Sequence, residues 1–169
     1  MIAQLKASMP ITFRDNDLPP NFNRYHNRVL YITVYATRHG IHRVLIDNGA
    51  SLNICPVRTI ERLCIDLALL KPSQLSIMSY DEGKRQAEGI ISLALTIGPI
   101  SQIVKFYVSY IDPSFNLLLG RPSLHENLAI ASKLHQCLKI PMAQGLRFLL
   151  TNLKQSFCWN LINYGASIA

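Results

Sequence analysis

The sequence has little charge, few acidic residues and no long apolar run. Only 16% of its 169 residues are charged, 49% are apolar and the mean hydropathy is +0.17, which excludes a wholly disordered chain. The apolar stretches Leu67–Leu70 and Leu117–Leu119 are far shorter than the roughly 18 residues of a membrane span, and no signal-peptide region opens the sequence. We therefore expect an intracellular, cytoplasmic protein that is not secreted and has no membrane partner.

Cysteine and histidine are too scattered to predict a metal site. The pairs His39/His42 and His135/Cys137 each lack a convincing second half. The four cysteines show no C-x-x-C spacing and lie at Cys55, Cys64, Cys137 and Cys158. We expect reduced thiols that behave as small apolar residues, no bound metal and no cofactor.

Acidic residues are outnumbered, since 17 Lys and Arg stand against 10 Asp and Glu and give a formal net charge of +7. Such a chain invites a nucleic-acid interpretation. The cations are scattered singly, however, and the adjacent pair Lys84-Arg85 is flanked by Asp81, Glu82 and Glu88. Nucleic-acid surfaces usually cluster their charge, so we expect at most non-specific, salt-sensitive adhesion to polyanions.

Composition divides the chain into three parts. Residues 1–28 contain Pro19-Pro20 and several Asn and Asp residues, which is typical of an extended lead-in. From Val29 onward β-branched and aromatic residues become frequent, and a domain is predicted over residues 29–150. Residues 151–169 have no clear periodicity and no acidic residue, so they form a tail of unknown role.

Short strands are the main predicted elements of the domain. Alternating and continuous apolar runs predict strands at residues 30–35, 44–46, 91–97, 104–108, 115–120, 138–140 and 146–150, with a projecting hairpin around residues 79–89. Apolar positions three or four apart predict a helix that begins after Pro56 and ends before Pro72, with Leu67 as its last apolar position. A second short helix is predicted near Ser123–Asn127.

The segment from Asp47 to Ser51 has the most chemical content. Taken locally, Asn48-Gly49 between apolar runs predicts a tight hairpin turn in which Asp47 is a solvated turn residue. The other interpretation is an apolar strand, Val44–Ile46, that delivers an aspartate into a Gly-containing loop. The local pattern favours the turn, whereas the order of motifs along the chain favours the loop.

Those motifs together resemble a known family. In chain order they are Ile11-Thr12-Phe13 with Asp17-Leu18-Pro19, Leu30–Val34, Val44–Pro56, Tyr80-Asp81 with Lys84-Arg85, and Asn116–Pro122. In this order they resemble the retropepsin-like aspartic proteases. The resemblance is closest to the protease region of plant gypsy-type LTR retrotransposon Gag-Pol polyproteins and more distant to the DNA-damage-inducible type of eukaryotic aspartic protease. It covers roughly residues 11–150.

The resemblance implies a mainly β fold, a small closed β-barrel with a flap hairpin and one or two short helices. It also implies a homodimer, because one chain supplies a single Asp loop and the family's site uses two. Its substrate would be an extended peptide or polyprotein. The implied site comprises the catalytic Asp47, the loop residues Asn48, Gly49, Ala50 and Ser51, the flap residues Tyr80, Asp81 and Gly83, and the second signature strand Leu118, Leu119, Gly120 and Arg121.

Two positions depart from the family's pattern. Asn48 stands where active relatives have Thr or Ser, whose hydroxyl links the two loops across the dimer. Ser51 stands where viral members often place an acid that pairs with the arginine after the buried strand, here Arg121, so Arg121 either orders an interface or is a plain surface residue. Two functions therefore stay open, an aspartic endopeptidase and a catalytically impaired binding or dimerisation module of a decayed retrotransposon.

Overall fold

Eleven strands and two short α-helices make up the part of the chain that the structure, a computed structural model, describes, namely residues 11–79, 83–142 and 145–150. In chain order the strands are β1 (Tyr31–Ala36), β2 (His39–Ile46), β3 (Ile54–Pro56), β4 (Ser76–Ser79), β5 (Gly83–Gln86), β6 (Gly89–Ile97), β7 (Ile100–Ser109), β8 (Leu117–Leu119), β9 (Ile130–Ser132), β10 (Cys137–Met142) and β11 (Gly145–Leu150). The helices are α1 (Val57–Arg62) and α2 (Arg121–Glu126). The mainly β prediction is confirmed.

Six of the strands close into a barrel in the order β1-β2-β8-β3-β7-β6. The hairpins β1–β2 and β6–β7 are antiparallel, as is the pairing of β1 with β6 that closes the barrel. Strand β8 lies between β2 and β3 and runs parallel to β2. Closure leaves these strands without a free edge.

The barrel core follows from alternation along the strands. Leu93, Leu95 and Ile97 of β6 are buried, whereas the residues between them are exposed. The three residues of β8 are all buried, as predicted for a continuous apolar run. The strands predicted by alternation at residues 91–97 and 104–108 are therefore confirmed, and they pair with each other as an antiparallel hairpin.

Helix α1 is shorter than the apolar spacing predicts, because it ends at Arg62 instead of continuing to Leu67. Cys64 adopts a positive φ of 55°. The Cys64 N–H donates to the Glu61 carbonyl at 2.9 Å and the Ile65 N–H to the Ile60 carbonyl at 3.1 Å. These two bonds are the Schellman pattern that terminates helices, and they pack Ile65 back toward Ile60. A separate 3-10 turn at Leu67–Leu69 follows.

Two small sheets lie outside the barrel. One is the β4–β5 hairpin, and the other is three-stranded in the order β11-β10-β9. Leu138 and Ile140 of β10 belong to the barrel's core cluster, while Lys139 between them is buried against residues 12–17 of the lead-in. Strand β9 was not predicted, since three residues carry too little periodicity.

None of the helices in the described ranges is long and apolar enough to cross a membrane.

Candidate active site

Asp47 follows β2 directly and is fixed by backbone hydrogen bonds. Its N–H donates to the Leu119 carbonyl at 3.0 Å, and its own carbonyl accepts from the Ala50 N–H at 3.2 Å. The carboxylate oxygen Oδ1 accepts from the Gly49 N–H at 2.9 Å. The side chain is half-buried, so a carboxylate of fixed orientation stands at the surface of the barrel.

The sheet order decides between the two interpretations of Asn48-Gly49. In a hairpin the strands on either side of the turn pair with each other. Here the strand after the loop is β3, and β8 lies between β2 and β3. Residues 47–53 therefore form a loop that passes over the end of β8. The bond from the Ala50 N–H to the Asp47 carbonyl closes a turn at Asn48-Gly49, but this turn does not join two paired strands, so the hairpin interpretation is wrong. We refer to residues 47–53 as the Asp loop.

The chain beyond β8 holds the underside of the Asp loop. The Arg121 N–H donates to the Ala50 carbonyl at 2.9 Å. A Cβ at Gly120 would lie 2.4 Å from the Leu52 carbonyl oxygen and 2.7 Å from the Ala50 carbonyl oxygen, so only glycine allows this approach. Leu118 pairs with Ile54 of β3 and with Leu45 of β2. The structure thus brings the residues of the predicted second signature strand next to the predicted Asp loop.

The tip of the loop is open. Asn48, Gly49 and Ser51 are exposed, and Ala50 is half-buried. A Cβ added at Gly49 would meet Asp47 Oδ1 at 3.2 Å. A side chain at Gly49 would therefore crowd the carboxylate, and its absence leaves room in front of Asp47 for a reactant.

Similarity to solved structures identifies the fold. The retroviral protease-like domain of Ddi1 from Leishmania major is similar with a TM-score of 0.55 and 23% identity, covering 75% of this chain and 98% of that domain. The chain has the retropepsin-like fold.

Two further structures with the retropepsin-like fold agree. A retropepsin-like aspartic protease from Rickettsia conorii has a TM-score of 0.50 and 23% identity, covering 70% of this chain and 80% of that one. EIAV protease in complex with the inhibitor HBY-793 has a TM-score of 0.51 and 15% identity, covering 65% and 98%. No family model and no curated protein sequence matches the chain. The identities are low, so the likeness concerns the fold alone.

The segment predicted as a flap, around residues 79–89, overlaps the β4–β5 hairpin. Gly83 pairs with Ser79 at its outer end, while Tyr80 and Asp81 lie outside the described residues. The base of the hairpin is fixed by the buried side chains of Ile77 and Ala87. The Ala87 N–H also donates to the Leu75 carbonyl at 3.1 Å. In the part of the hairpin that the structure describes, it pairs with no other sheet.

Arg121 is exposed and begins helix α2. Within the described ranges the ion pairs join Arg58 to Asp112 and Lys139 to Asp17. Arg121 therefore contributes its backbone N–H to the Asp loop, and its guanidinium forms no ion pair with a described residue.

Asn53 is a site residue to which the sequence assigned no role. Its side chain is 5% exposed, its Oδ1 accepts from the Gly120 N–H at 2.9 Å, and its Nδ2 donates to the Lys105 carbonyl at 3.1 Å. The available signal was an amide side chain within the otherwise apolar run from Leu52 to Cys55. A buried amide of this kind must find partners.

The neighbouring thiol is inert. Burial raises the pKa of Cys55 to about 12, so Cys55 is neither a nucleophile nor a thiolate ligand near neutral pH. The described residues contain no cluster of three or more His, Cys, Asp or Glu that could hold a metal ion. The chemistry that this surface offers is that of the Asp47 carboxylate.

Proposed function

We propose that this chain is an aspartic endopeptidase of the retropepsin type, in which two copies each contribute Asp47 to one active site. The observation that carries the proposal is the position of Asp47, an oriented carboxylate at an open glycine-containing loop held directly over Leu119 and Gly120 in a barrel of the retropepsin-like fold. One chain supplies one such loop, so the pair requires a two-fold axis near Asp47.

The chemistry follows from two adjacent carboxylates. Two like charges a few ångström apart cannot both ionise, so the Asp47 pair shares one proton near working pH. The ionised carboxylate removes a proton from a bound water, and the protonated one polarises the scissile carbonyl. The water oxygen attacks the carbonyl carbon to give a tetrahedral intermediate. Its collapse breaks the C–N bond, and the carboxyl group that took the proton from water transfers it to the leaving nitrogen. Gly49 leaves the space through which the peptide backbone approaches.

The β4–β5 hairpin would close over an extended peptide and exclude water. The described residues of this hairpin pair with no other sheet, which supports this role, because a hairpin without a neighbouring strand can pivot at its base. Tyr80, Asp81 and Gly83 would form the closing tip.

The substrate class we propose is the polyprotein of a retroelement, cut at extended and largely apolar sites. The motif order resembles the protease of plant gypsy-type Gag-Pol polyproteins, and this resemblance supports the proposed origin. The peptidase domain would comprise residues 29–150, with residues 1–28 as a lead-in and residues 151–169 as a tail.

The decisive experiment follows peptidase activity on a library of extended apolar peptides at mildly acidic pH. A site shared between two chains must lose specific activity on dilution, as the dimer separates. Asp47→Asn should reduce kcat by at least about 10³-fold. The control Asp15→Asn changes an exposed aspartate far along the chain from the loop and should leave kcat unchanged.

Mixing supplies a second arm of the test. Inactive Asp47→Asn chains added in excess to the wild type should suppress activity, because mixed dimers hold a single carboxylate. Activity that persists in the mixture and on dilution would contradict a shared site. No cleavage of any peptide by a verified dimer would contradict the peptidase.

A second candidate function is a binding or dimerisation module with impaired catalysis. It is favoured by Asn48 at the hydroxyl position and by Ser51, which stands where an acid could pair with Arg121, and the Arg121 guanidinium forms no ion pair with a described residue. An amide is larger than a hydroxyl, and a looser contact between loops would displace the carboxylates. Turnover that is absent in the wild type and restored by Asn48→Thr would favour this function.

A further inference from the structure

We propose that Asn53 is a positioning residue that sets the height and orientation of the Asp loop relative to β8, and thereby the position of Asp47. The inference rests on the proposed peptidase function, and it adds a residue that neither the motif nor the fold assigns. Asn53 itself does not touch the reacting atoms. It acts through Gly120.

Three successive residues after the middle of β8 hold three positions of the Asp loop. The Leu119 carbonyl accepts from the Asp47 N–H, the Arg121 N–H donates to the Ala50 carbonyl, and the Gly120 N–H donates to Asn53 Oδ1. The first two contacts are made by backbone groups alone. The third is made by a side chain, so it is the one that the residue type controls.

The same amide also fixes the far end of the loop to a different strand. Asn53 Nδ2 donates to the Lys105 carbonyl at 3.1 Å, and the Asn53 carbonyl accepts from the Tyr107 N–H at 2.9 Å. The Asn53 side chain thus connects β7, through the Lys105 carbonyl, to the turn after β8, through the Gly120 N–H. Buried donors and acceptors that are fully paired resist displacement, because any shift leaves a buried group unsatisfied.

Glycine at position 120 makes this anchor necessary. The Leu52 and Ala50 carbonyl oxygens lie close to the Gly120 Cα, where a Cβ would otherwise be. Gly120 is buried, so its N–H needs a hydrogen-bond acceptor within the protein. Asn53 supplies it. Without that acceptor the turn after β8 and the Asp loop can separate, and Asp47 moves with the loop.

A matched asparagine lies at the other end of β8. Asn116 Nδ2 donates to the His42 carbonyl at 2.7 Å, and the Asn116 N–H donates to the Arg43 carbonyl at 3.0 Å. Asn116 links the start of β8 to β2, whereas Asn53 links the end of β8 to the Asp loop. The contacts of Asn116 lie far from Asp47 along both strands. Asn116→Ala therefore removes an asparagine hydrogen bond at a more exposed position beside the same strand, without touching the loop.

The test compares Asn53→Ala with Asn116→Ala by thermal unfolding and by steady-state kinetics. We expect both variants to lower the melting temperature. Asn53→Ala should reduce kcat about 100-fold, since small misplacements of a catalytic group are that costly, while KM changes by less than about threefold. Asn116→Ala should keep kcat within about twofold. Equal kcat in the two variants would overturn the inference.

Asn53→Asp gives a second variant that preserves size. An ionised carboxylate can accept from the Gly120 N–H but cannot donate to the Lys105 carbonyl, whereas the protonated form can do both. The ratio of variant to wild-type kcat should therefore rise as pH falls. A ratio that is independent of pH would contradict the inference even if Asn53→Ala does not fold.

Amide hydrogen exchange separates this inference from the proposed function. If the wild type shows no turnover, the peptidase proposal fails, but the positioning role still predicts faster exchange at Asp47, Ala50 and Gly120 in Asn53→Ala than in Asn116→Ala. Equal exchange at these three amides in both variants would overturn the positioning role.

Discussion

The Asp loop and the three-stranded sheet each depend on a buried polar side chain, and the two side chains differ in charge. Asn53 is neutral and bonds to backbone groups of Gly120 and Lys105. Lys139 is charged and only 2% exposed. Its ammonium donates to the Asp17 carboxylate at 2.6 Å and to the Thr12 carbonyl. The same ammonium lies 4.5 Å from the centre of the Phe13 ring.

This difference shows how each region responds to its surroundings. A neutral amide bonded to backbone is insensitive to pH and salt, so the proposed catalytic loop keeps its shape across conditions. A buried ammonium requires a partner charge, because an uncompensated buried charge costs several kcal/mol. The outer face of β10 therefore depends on the residues around Asp17 that cover it, while the Asp loop depends only on the barrel.

Among the predicted changes, Gly120→Ala should have the largest effect, because it disrupts the packing of the Asp loop on Gly120. The new Cβ would stand 2.4 Å from one backbone oxygen and 2.7 Å from another, and no rotamer change can relieve contacts with backbone. We expect a loss of about 4 kcal/mol in the free energy of unfolding and at least a 100-fold loss of kcat, measured by urea unfolding and peptide hydrolysis.

The matched control is Gly40→Ala, where the nearest atoms to the new Cβ belong to the Tyr35 ring at 3.4 Å. That distance is an ordinary contact, so the change in stability should stay within about 0.5 kcal/mol. Similar losses in the two variants would contradict the tight packing of the loop on Gly120.

Lys139→Met should destabilise the three-stranded sheet, the second of the two regions, without affecting the Asp loop. It keeps the apolar stem of the side chain but leaves the Asp17 carboxylate without its ion pair. We expect the free energy of unfolding to fall by about 3 kcal/mol, with kcat per folded dimer nearly unchanged because Asp47 is held by different elements. A double-mutant cycle with Asp17→Asn measures the coupling. Additive losses would show that the pair is not coupled.

The pH dependence of stability sharpens the comparison. Burial of Asp17 acts to raise the pKa of its carboxyl, but the hydrogen bonds from Lys139 and the Arg14 N–H and the charges of Lys139 and His135 outweigh it and lower the pKa below the ordinary 3.8. A depressed pKa contributes stability above the ordinary value, and this contribution is lost as pH falls through the folded value. Melting temperatures of wild type and Asp17→Asn should therefore converge in strong acid. A constant difference from neutral pH to strong acid would contradict this linkage.

The smallest expected effect is a change in thiol labelling, which reports on the Asp loop region through Cys55 and on the three-stranded sheet through Cys137. Burial raises the pKa of Cys55 and of Cys137 to about 12, with the Asp17 charge adding to the effect at Cys137. In a Cys158→Ser background at about pH 8, only the exposed Cys64 should react with a thiol reagent. Lys139→Met should then expose Cys137, which shares its face of β10, and leave Cys55 protected. Labelling of both at one rate would mean that the two regions open together.

Much of the architecture could be predicted from local pattern. Alternation predicted β6 and β7, a continuous apolar run predicted β8, and Pro56 marked the start of α1, because burial on one face imposes a period that neighbouring residues reveal. The early end of α1 at Arg62 was not predicted, since it depends on a left-handed Cys64. Strand β9 is too short to carry a period.

The sequence by itself determined most of the longer strands, the barrel-forming apolar content and the presence of an Asp-Asn-Gly segment, because these depend on residues close together in the chain. Only the tertiary structure decided that Asn48-Gly49 belongs to a loop, since that depends on β8 entering between β2 and β3. It also gave Asn53 its partner, Gly120, which is 67 residues away. A buried amide or N–H must be paired, but barrel closure chooses the partner, and no local pattern encodes that choice.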